Sequence, residues 1–117
     1  MNNFTEILSE ISSATGIEPV AFSSKKPQNL PSISYTIYRQ GDNAVVERWR
    51  FQIRITAESS EEAIDIEETI ADLLCSLGDE EKFGALSIVI NGGGTLEDPA
   101  TGLPQLMTYY DIAFRSN

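Results

Sequence analysis

Val45-Val46-Glu47-Arg48-Trp49-Arg50-Phe51-Gln52-Ile53-Arg54-Ile55-Thr56-Ala57, followed after Glu58 by Ser59-Ser60-Glu61-Glu62, decides the fold of this chain. Trp49, Phe51, Ile53, Ile55 and Ala57 stand on one side of a period-two alternation, with Arg48, Arg50, Gln52, Arg54 and Thr56 on the other. Side chains of a strand point to opposite faces in turn, so the pattern predicts a strand with one face in a core and one in water. Ser59 to Glu62 reads as a capping box, in which hydroxyl and carboxylate satisfy amides that a helix start leaves unpaired. The period then changes: Ala63, Ile66, Ile70, Leu73, Leu74 and Leu77 fall on one helical stripe, and Gly78 stands where a left-handed cap belongs. A long amphipathic strand running into an amphipathic helix predicts a sheet with a helix laid on its apolar face.

Upstream, Asn3-Phe4-Thr5-Glu6 resembles a capping box with Asn3 as the cap, and Phe4, Ile7, Leu8, Ile11 and Ala14 mark a helix that Gly16 ends. Val20-Ala21-Phe22 predicts a short strand. Residues 23–31 read as a polar loop closing on Pro31, and Ser32 to Gln40 as a strand with Ile33, Tyr35 and Ile37 on one face. The turn Gly41-Asp42-Asn43 makes this strand and the central one an antiparallel hairpin. At ~3.3 Å per residue the central strand spans roughly 43 Å, against about 27 Å for its helix at ~1.5 Å per residue, so the hairpin tip between Arg39 and Arg48 is expected to project past the helix. Downstream, Leu86 to Ile90 predicts a short buried strand, Asn91 to Pro104 a long loop, and Gln105 to Arg115 the last strand. The whole is expected to be one α+β domain over residues 1–117, with a mostly antiparallel four- to five-stranded sheet and two helices packed on one face.

A chain of 117 residues with 41% apolar content can bury a core without metals or disulfides. No apolar run approaches the ~20 residues that cross a bilayer, and the N-terminus has no basic region of the secretory kind. The lone Cys75 cannot form an internal disulfide, which fits a reducing cytoplasm, and with no histidine to activate it a packed, inert thiol is expected. A net charge of −10 argues against a sequence-independent grip on nucleic acid. The charge is also unevenly placed. Lys25, Lys26, Arg39, Arg48, Arg50 and Arg54 cluster in the first half, while Glu61 to Glu81 holds acids and no base, so an acidic helix face and a mildly basic sheet face are expected.

Chemistry is hard to place on these residues. Without histidine the commonest general base and metal ligand is missing. Ser23, Ser24, Lys25 and Lys26 are the nearest approach to a serine–lysine nucleophile, but they sit in a polar loop. Gly92-Gly93-Gly94-Thr95 lacks the lysine and the helix of a phosphate loop and reads as a flexible connector. Glu61, Asp65 and Glu68 form an acidic helix face with no loop to complete a cation shell. Tyr35, Tyr38, Tyr109 and Tyr110 with the arginines offer a base-stacking platform or, more simply, ordinary sheet residues. No enzyme, cofactor or metal is expected.

The succession of features resembles the small tail-completion (tail-terminator) proteins of long-tailed phages and prophages. The resemblance rests on Leu30-Pro31-Ser32-Ile33-Ser34-Tyr35, on the Arg/apolar strand from Arg48 to Ala57 running into Ser59-Ser60-Glu61-Glu62-Ala63, and on Leu73-Leu74. Its most characteristic piece is Leu96-Glu97-Asp98-Pro99-Ala100-Thr101-Gly102-Leu103, leading to Asp111-Ile112-Ala113-Phe114. The resemblance implies a homo-oligomeric ring, typically of six subunits, at the end of a finished tail tube. Such a ring stops tube polymerisation and offers the surface that joins the head. The partners it implies are further copies of the chain, the tail-tube protein and a head-completion or connector protein, with DNA passing through unbound. The implied locations are the host cytoplasm during assembly and then the virion. The expected subunit or tube contacts are the Arg39–Arg48 hairpin and the 91–104 loop, with Arg39, Asp42, Arg48, Arg50, Arg54, Asp98, Thr101 and Leu103 as interface residues. A neighbouring neck or minor tail protein is the nearest alternative; a small ligand-binding regulatory domain, contacting its ligand through the glycine-rich loop, is the alternative from another class.

Overall fold

In the computed structural model the described residues are 2–22, 30–42, 46–76, 85–97 and 102–115. The elements are α1 (Asn2–Thr15), β1 (Val20–Ala21), β2 (Ser32–Asp42), β3 (Val46–Thr56), α2 (Ser60–Ser76), β4 (Ala85–Glu97) and β5 (Pro104–Arg115). They build an α+β domain with a five-stranded mixed sheet in the order β1-β2-β3-β5-β4. Every pairing is antiparallel except that of β1 with β2. Both helices lie on one face.

The deciding stretch behaves as its periods require. Phe51, Ile53, Ile55 and Ala57 are buried, and Trp49 packs against the edge of the same core. Ser59 caps α2: its Oγ accepts from the Glu62 amide at 3.2 Å, while the Glu62 carboxylate accepts from the Glu58 amide at 3.4 Å. The second bond reaches one residue further back than the usual box, and it still satisfies an amide at the helix start. Ala63, Ile70 and Leu74 are buried beneath α2, with Ile66 and Leu73 at the margin. On α1, Phe4, Ile7 and Ile11 are buried. The Phe4 ring pins this helix to the sheet, meeting the rings of Trp49, Phe51 and Phe114 at 5.4–5.8 Å between centroids. Gly16 ends α1 with φ at 73°, a left-handed conformation that a side chain disfavours.

Several expectations give way. The face of β3 opposite the core is not simply solvated, because Gln52 and Thr56 are buried there. Their polar groups are held by Tyr38 Oη, which donates to Gln52 Oε1 at 3.2 Å, and by Gln105 Nε2, which donates to Thr56 Oγ1 at 3.2 Å. The β2–β3 hairpin is no lone arm. β5 pairs along the whole of β3, from Val46↔Arg115 to Thr56↔Gln105, and Phe4 of α1 packs on Trp49 of the same strand.

The largest correction concerns β4. Instead of a short buried strand followed by a loop, one strand runs from Ala85 through the glycines to Glu97, paired with β5 as far as Glu97↔Pro104. Only Ala85 and Ile88 in it are buried, since β4 is an edge strand. Register shifts at Ala85/Ser87 and at Ile90/Gly93 mark β-bulges. The backbones pass so closely at the second that a Cβ on Gly93 would stand 2.3 Å from the Met107 carbonyl oxygen. Glycine is therefore in the strand because the pairing needs it, not because the segment is a connector.

Among the described residues two buried side-chain atoms have no hydrogen-bond partner, Arg54 Nε and Tyr110 Oη. Tyr110 is fully buried, its hydroxyl has no hydrogen bond, and burial together with the nearby Glu67 carboxylate pushes its pKa far up. An unsatisfied buried hydroxyl costs about 1–3 kcal/mol. Tyr110→Phe is therefore expected to leave stability unchanged or to raise it by up to about 2 kcal/mol. Urea unfolding midpoints would check this, and a clear loss would show that the hydroxyl does find a partner.

Candidate subunit interface

The helices cover one face of the sheet; among the described residues nothing packs on the other. The register sets out what that open face carries. One row across it is Tyr38, Arg50, Asp111 and Val89; the next is Thr36, Gln52 and Tyr109; a third is Ser34, Arg54, Met107 and Gly94. Arg48 and Arg115 stand at one end of the same face. Phe22, just after β1, lies under the Arg54 guanidinium, whose centre is 4.4 Å from the ring centroid. Val20, Phe22, Tyr38, Val89 and Leu96 are large apolar or aromatic residues left exposed on this side. They are spread across the face, Val20 and Phe22 at the β1 edge, Tyr38 on β2, and Val89 and Leu96 on the β4 edge.

The centre of the face is organised by Asp111. Arg50 Nε donates to Asp111 Oδ1 at 3.0 Å, and Asn91 Nδ2 donates to Asp111 Oδ2. The Arg50 hydrogen bond, supported by the Asn91 amide and opposed by partial burial, holds the Asp111 carboxyl below the ordinary carboxylate range. The same bond raises the pKa of Arg50. Arg50 also lies 5.5 Å from the Tyr109 ring centroid. Beside this pair is an open depression of about 330 Å³ lined by Tyr38, Gln40, Arg50, Gln52 and Tyr109. Because Asp111 is more acidic folded than unfolded, its contribution to stability is complete above the ordinary carboxyl pKa of about 4 and is lost as pH falls through the lower folded value. The stability gap between the wild type and Asp111→Asn is thus expected to be constant near neutral pH and to close below about pH 4. Thermal midpoints from pH 7 to pH 2 would read it, and a gap unchanged at the acid end would contradict the assignment.

The opposite side of the molecule is acidic. Glu61, Asp65, Glu68 and Asp72 are exposed along α2, which contains no basic residue, and Glu6 and Glu10 are exposed on α1. Within this acidic stripe Ile64 is 46% exposed. The segregation expected from sequence is therefore spatial as well.

The expected interface residues are not all brought together. Arg48, Arg50 and Arg54 share the open face. Arg39 follows the parity of Ile33, Tyr35 and Ile37 onto the helix side, 5.4 Å from the Trp49 ring centroid and 3.5 Å from the Glu47 carboxylate. Asp42 ends β2, and its side chain lies outside the described residues, as do Asp98 and Thr101 altogether. Leu103 is half-buried next to Pro104, at the far end of the sheet from Arg48.

The other candidates fare as follows. Ser23, Ser24, Lys25 and Lys26 lie outside the described residues. Gly92 to Thr95 is strand, which takes away the loop that a phosphate site or a ligand contact there would use. The tyrosines divide, with Tyr38 and Tyr109 on the open face and Tyr35 and Tyr110 toward the core, so no platform of all four exists. Among the described residues no three His, Cys, Asp or Glu side chains are grouped to hold a metal, and no helix is long and apolar enough to cross a membrane. Cys75 is exposed, not packed. Its thiol pKa is nevertheless raised, by partial burial and by Glu67 and Asp72, which disfavours the reactive thiolate.

Sequence reasoning missed Phe22, Val89 and Leu96 as surface residues. Only Phe22 carried a signal, as an aromatic at the end of a very short strand. Leu96 reaches the open face through the register shift at Ile90/Gly93, which no local pattern reveals, while Val89, alternating with the buried Ile88, stood in an apolar run that reads as buried throughout. No protein-family model matches the chain, and a search of curated proteins finds no similar one.

Proposed function

We propose that this chain is a structural, non-catalytic tail-completion protein of a long-tailed phage or prophage. Copies of it form a ring at the end of the tail tube, stop tube growth and present the surface to which a head-completion protein joins. The observation that carries the reading is the open sheet face, with arginines and exposed aromatics on one side of the domain and a helix face rich in carboxylates and without a base on the other. Two unlike, complementary surfaces on one chain support head-to-tail association, the kind of contact that closes into rings. The motif succession from Leu30 to Phe114 supplies the phage assignment. A net charge of −10 suits a lumen through which DNA slides without being held. Assembly would take place in the host cytoplasm, and the protein would remain in the virion at the head–tail junction.

Native mass measured across a concentration series at low and moderate salt tests the self-association. A discrete species of about six subunits, without a ladder of longer forms, is expected. Added to polymerising tail tubes, the protein is expected to fix their length at substoichiometric amounts. Tubes that grow on regardless would overturn the terminator role and leave a neck or minor tail protein as the better reading.

A further inference from the structure

We propose that α2 of one copy seats on the open sheet face of the next, with Ile64 entering the depression between Tyr38 and Tyr109. The inference rests on the reading that copies of this chain associate, and it names the two surfaces that do so.

Charge complementarity selects the occupant. The open face presents Arg48, Arg50 and Arg54, and Asp111 on the same face is already engaged by Arg50 and Asn91. The outer side of α2 presents Glu61, Asp65, Glu68 and Asp72. Apolar surface matches as well. Ile64 stands one helical turn from Glu61 and one from Glu68, so an aliphatic side chain sits between two carboxylates. On the sheet side the depression has tyrosine walls, with Arg50 in its lining and Arg48 on the adjacent row. An isoleucine entering it would bring Glu61 and Glu68 to those arginines while covering the exposed Tyr38 ring. The lengths agree: α2 has 17 residues, about 25 Å at ~1.5 Å each, which fits along strands of 11 to 13 residues. A polynucleotide would match the arginines but not Asp111, and it would meet the field of a chain whose net charge is −10.

Because the two surfaces lie on opposite sides of one domain, each copy offers one of each, and the contact is heterologous. A mixing experiment follows. Tyr38→Glu with Arg48→Glu spoils the sheet face and leaves the helix face intact; Ile64→Lys with Glu68→Lys does the reverse. All four positions are exposed, and matching circular dichroism spectra would separate lost assembly from lost folding. By sedimentation velocity each double variant alone is expected to self-associate at least about 100-fold more weakly than the wild type. Mixed in equal amounts they are expected to give a heterodimer and nothing larger, since one good sheet face and one good helix face remain. Variants that assemble like the wild type would overturn this contact while leaving the ring reading intact. A wild type that stays monomeric, with no heterodimer in the mixture, would overturn both the contact and self-association in solution. A single-stranded oligonucleotide that binds the wild type, and not the Tyr38/Arg48 variant, would likewise overturn the assignment of this face to a second copy.

Discussion

Phe51→Ala is expected to lower the unfolding free energy by about 4 kcal/mol. Phe51 is fully buried at the middle of the central strand, with Ile37 beside it on β2 and Tyr110 beside it on β5. Two further rings close on it, Phe4 from α1 at 5.8 Å and Tyr35 at 6.1 Å between centroids. Removing the ring forfeits its transfer from water and opens a cavity that fixed strands cannot collapse to fill. It also undoes part of the seat of α1, because Phe4 touches the sheet through Trp49, Phe51 and Phe114. A domain of this size is stable by only about 5–15 kcal/mol, so the variant would stand near the edge of folding. Urea denaturation followed through the fluorescence of Trp49, which packs on Phe4, reports both effects. A loss below about 1 kcal/mol would mean that the core can repack around the gap.

Gly93→Ala is expected to cost about 3 kcal/mol although it adds one methyl group to an exposed edge strand. The new Cβ would lie 2.3 Å from the Met107 carbonyl oxygen and 3.2 Å from the Thr108 Cα, both backbone atoms with no rotamer to change. The φ of 155° adds strain for any residue with a side chain. Relief would require β4 and β5 to part at the bulge. Gly94→Ala makes the sharp control: the next residue has open space around its would-be Cβ and no positive φ, so alanine there is expected to be neutral or stabilising by up to about 1 kcal/mol. Thermal midpoints of the two variants should differ by roughly 10 °C or more. Equal midpoints would show that the close approach at Gly93 is not maintained in solution.

The two predictions mark the reach of the sequence. Phe51 announced itself, because a strand with one dry face and a helix with one dry stripe print their periods directly into the chain, and Trp49 to Leu74 carry both without interruption. Gly93 did not. Glycines have no side chain to alternate, and β4 beyond Ile90 is a strand only because β5 offers it hydrogen bonds. The candidate interface divides in the same way. Arg48, Arg50 and Arg54 were placed together by parity alone, and the same parity, carried on from Ile33 through Ile37, already sends Arg39 to the other face. Leu96 depends on a bulge, and the burial of Gln52 depends on a tyrosine from the neighbouring strand. Such facts belong to pairs of strands and not to any one of them.

The two bulges in β4 have a consequence for how copies of this chain can meet. A sheet ends in two rims, and an open rim recruits strands from other molecules. Here one rim is β1, with only Val20 and Ala21 to offer, and the other is β4, broken in register twice and floored with glycine. Neither gives a visiting strand a straight run of hydrogen-bond partners. Growth by extending the sheet sideways, the route to disordered aggregates and fibres, is therefore discouraged at both margins, and the broad flat surfaces are left as the ground on which molecules can recognise each other.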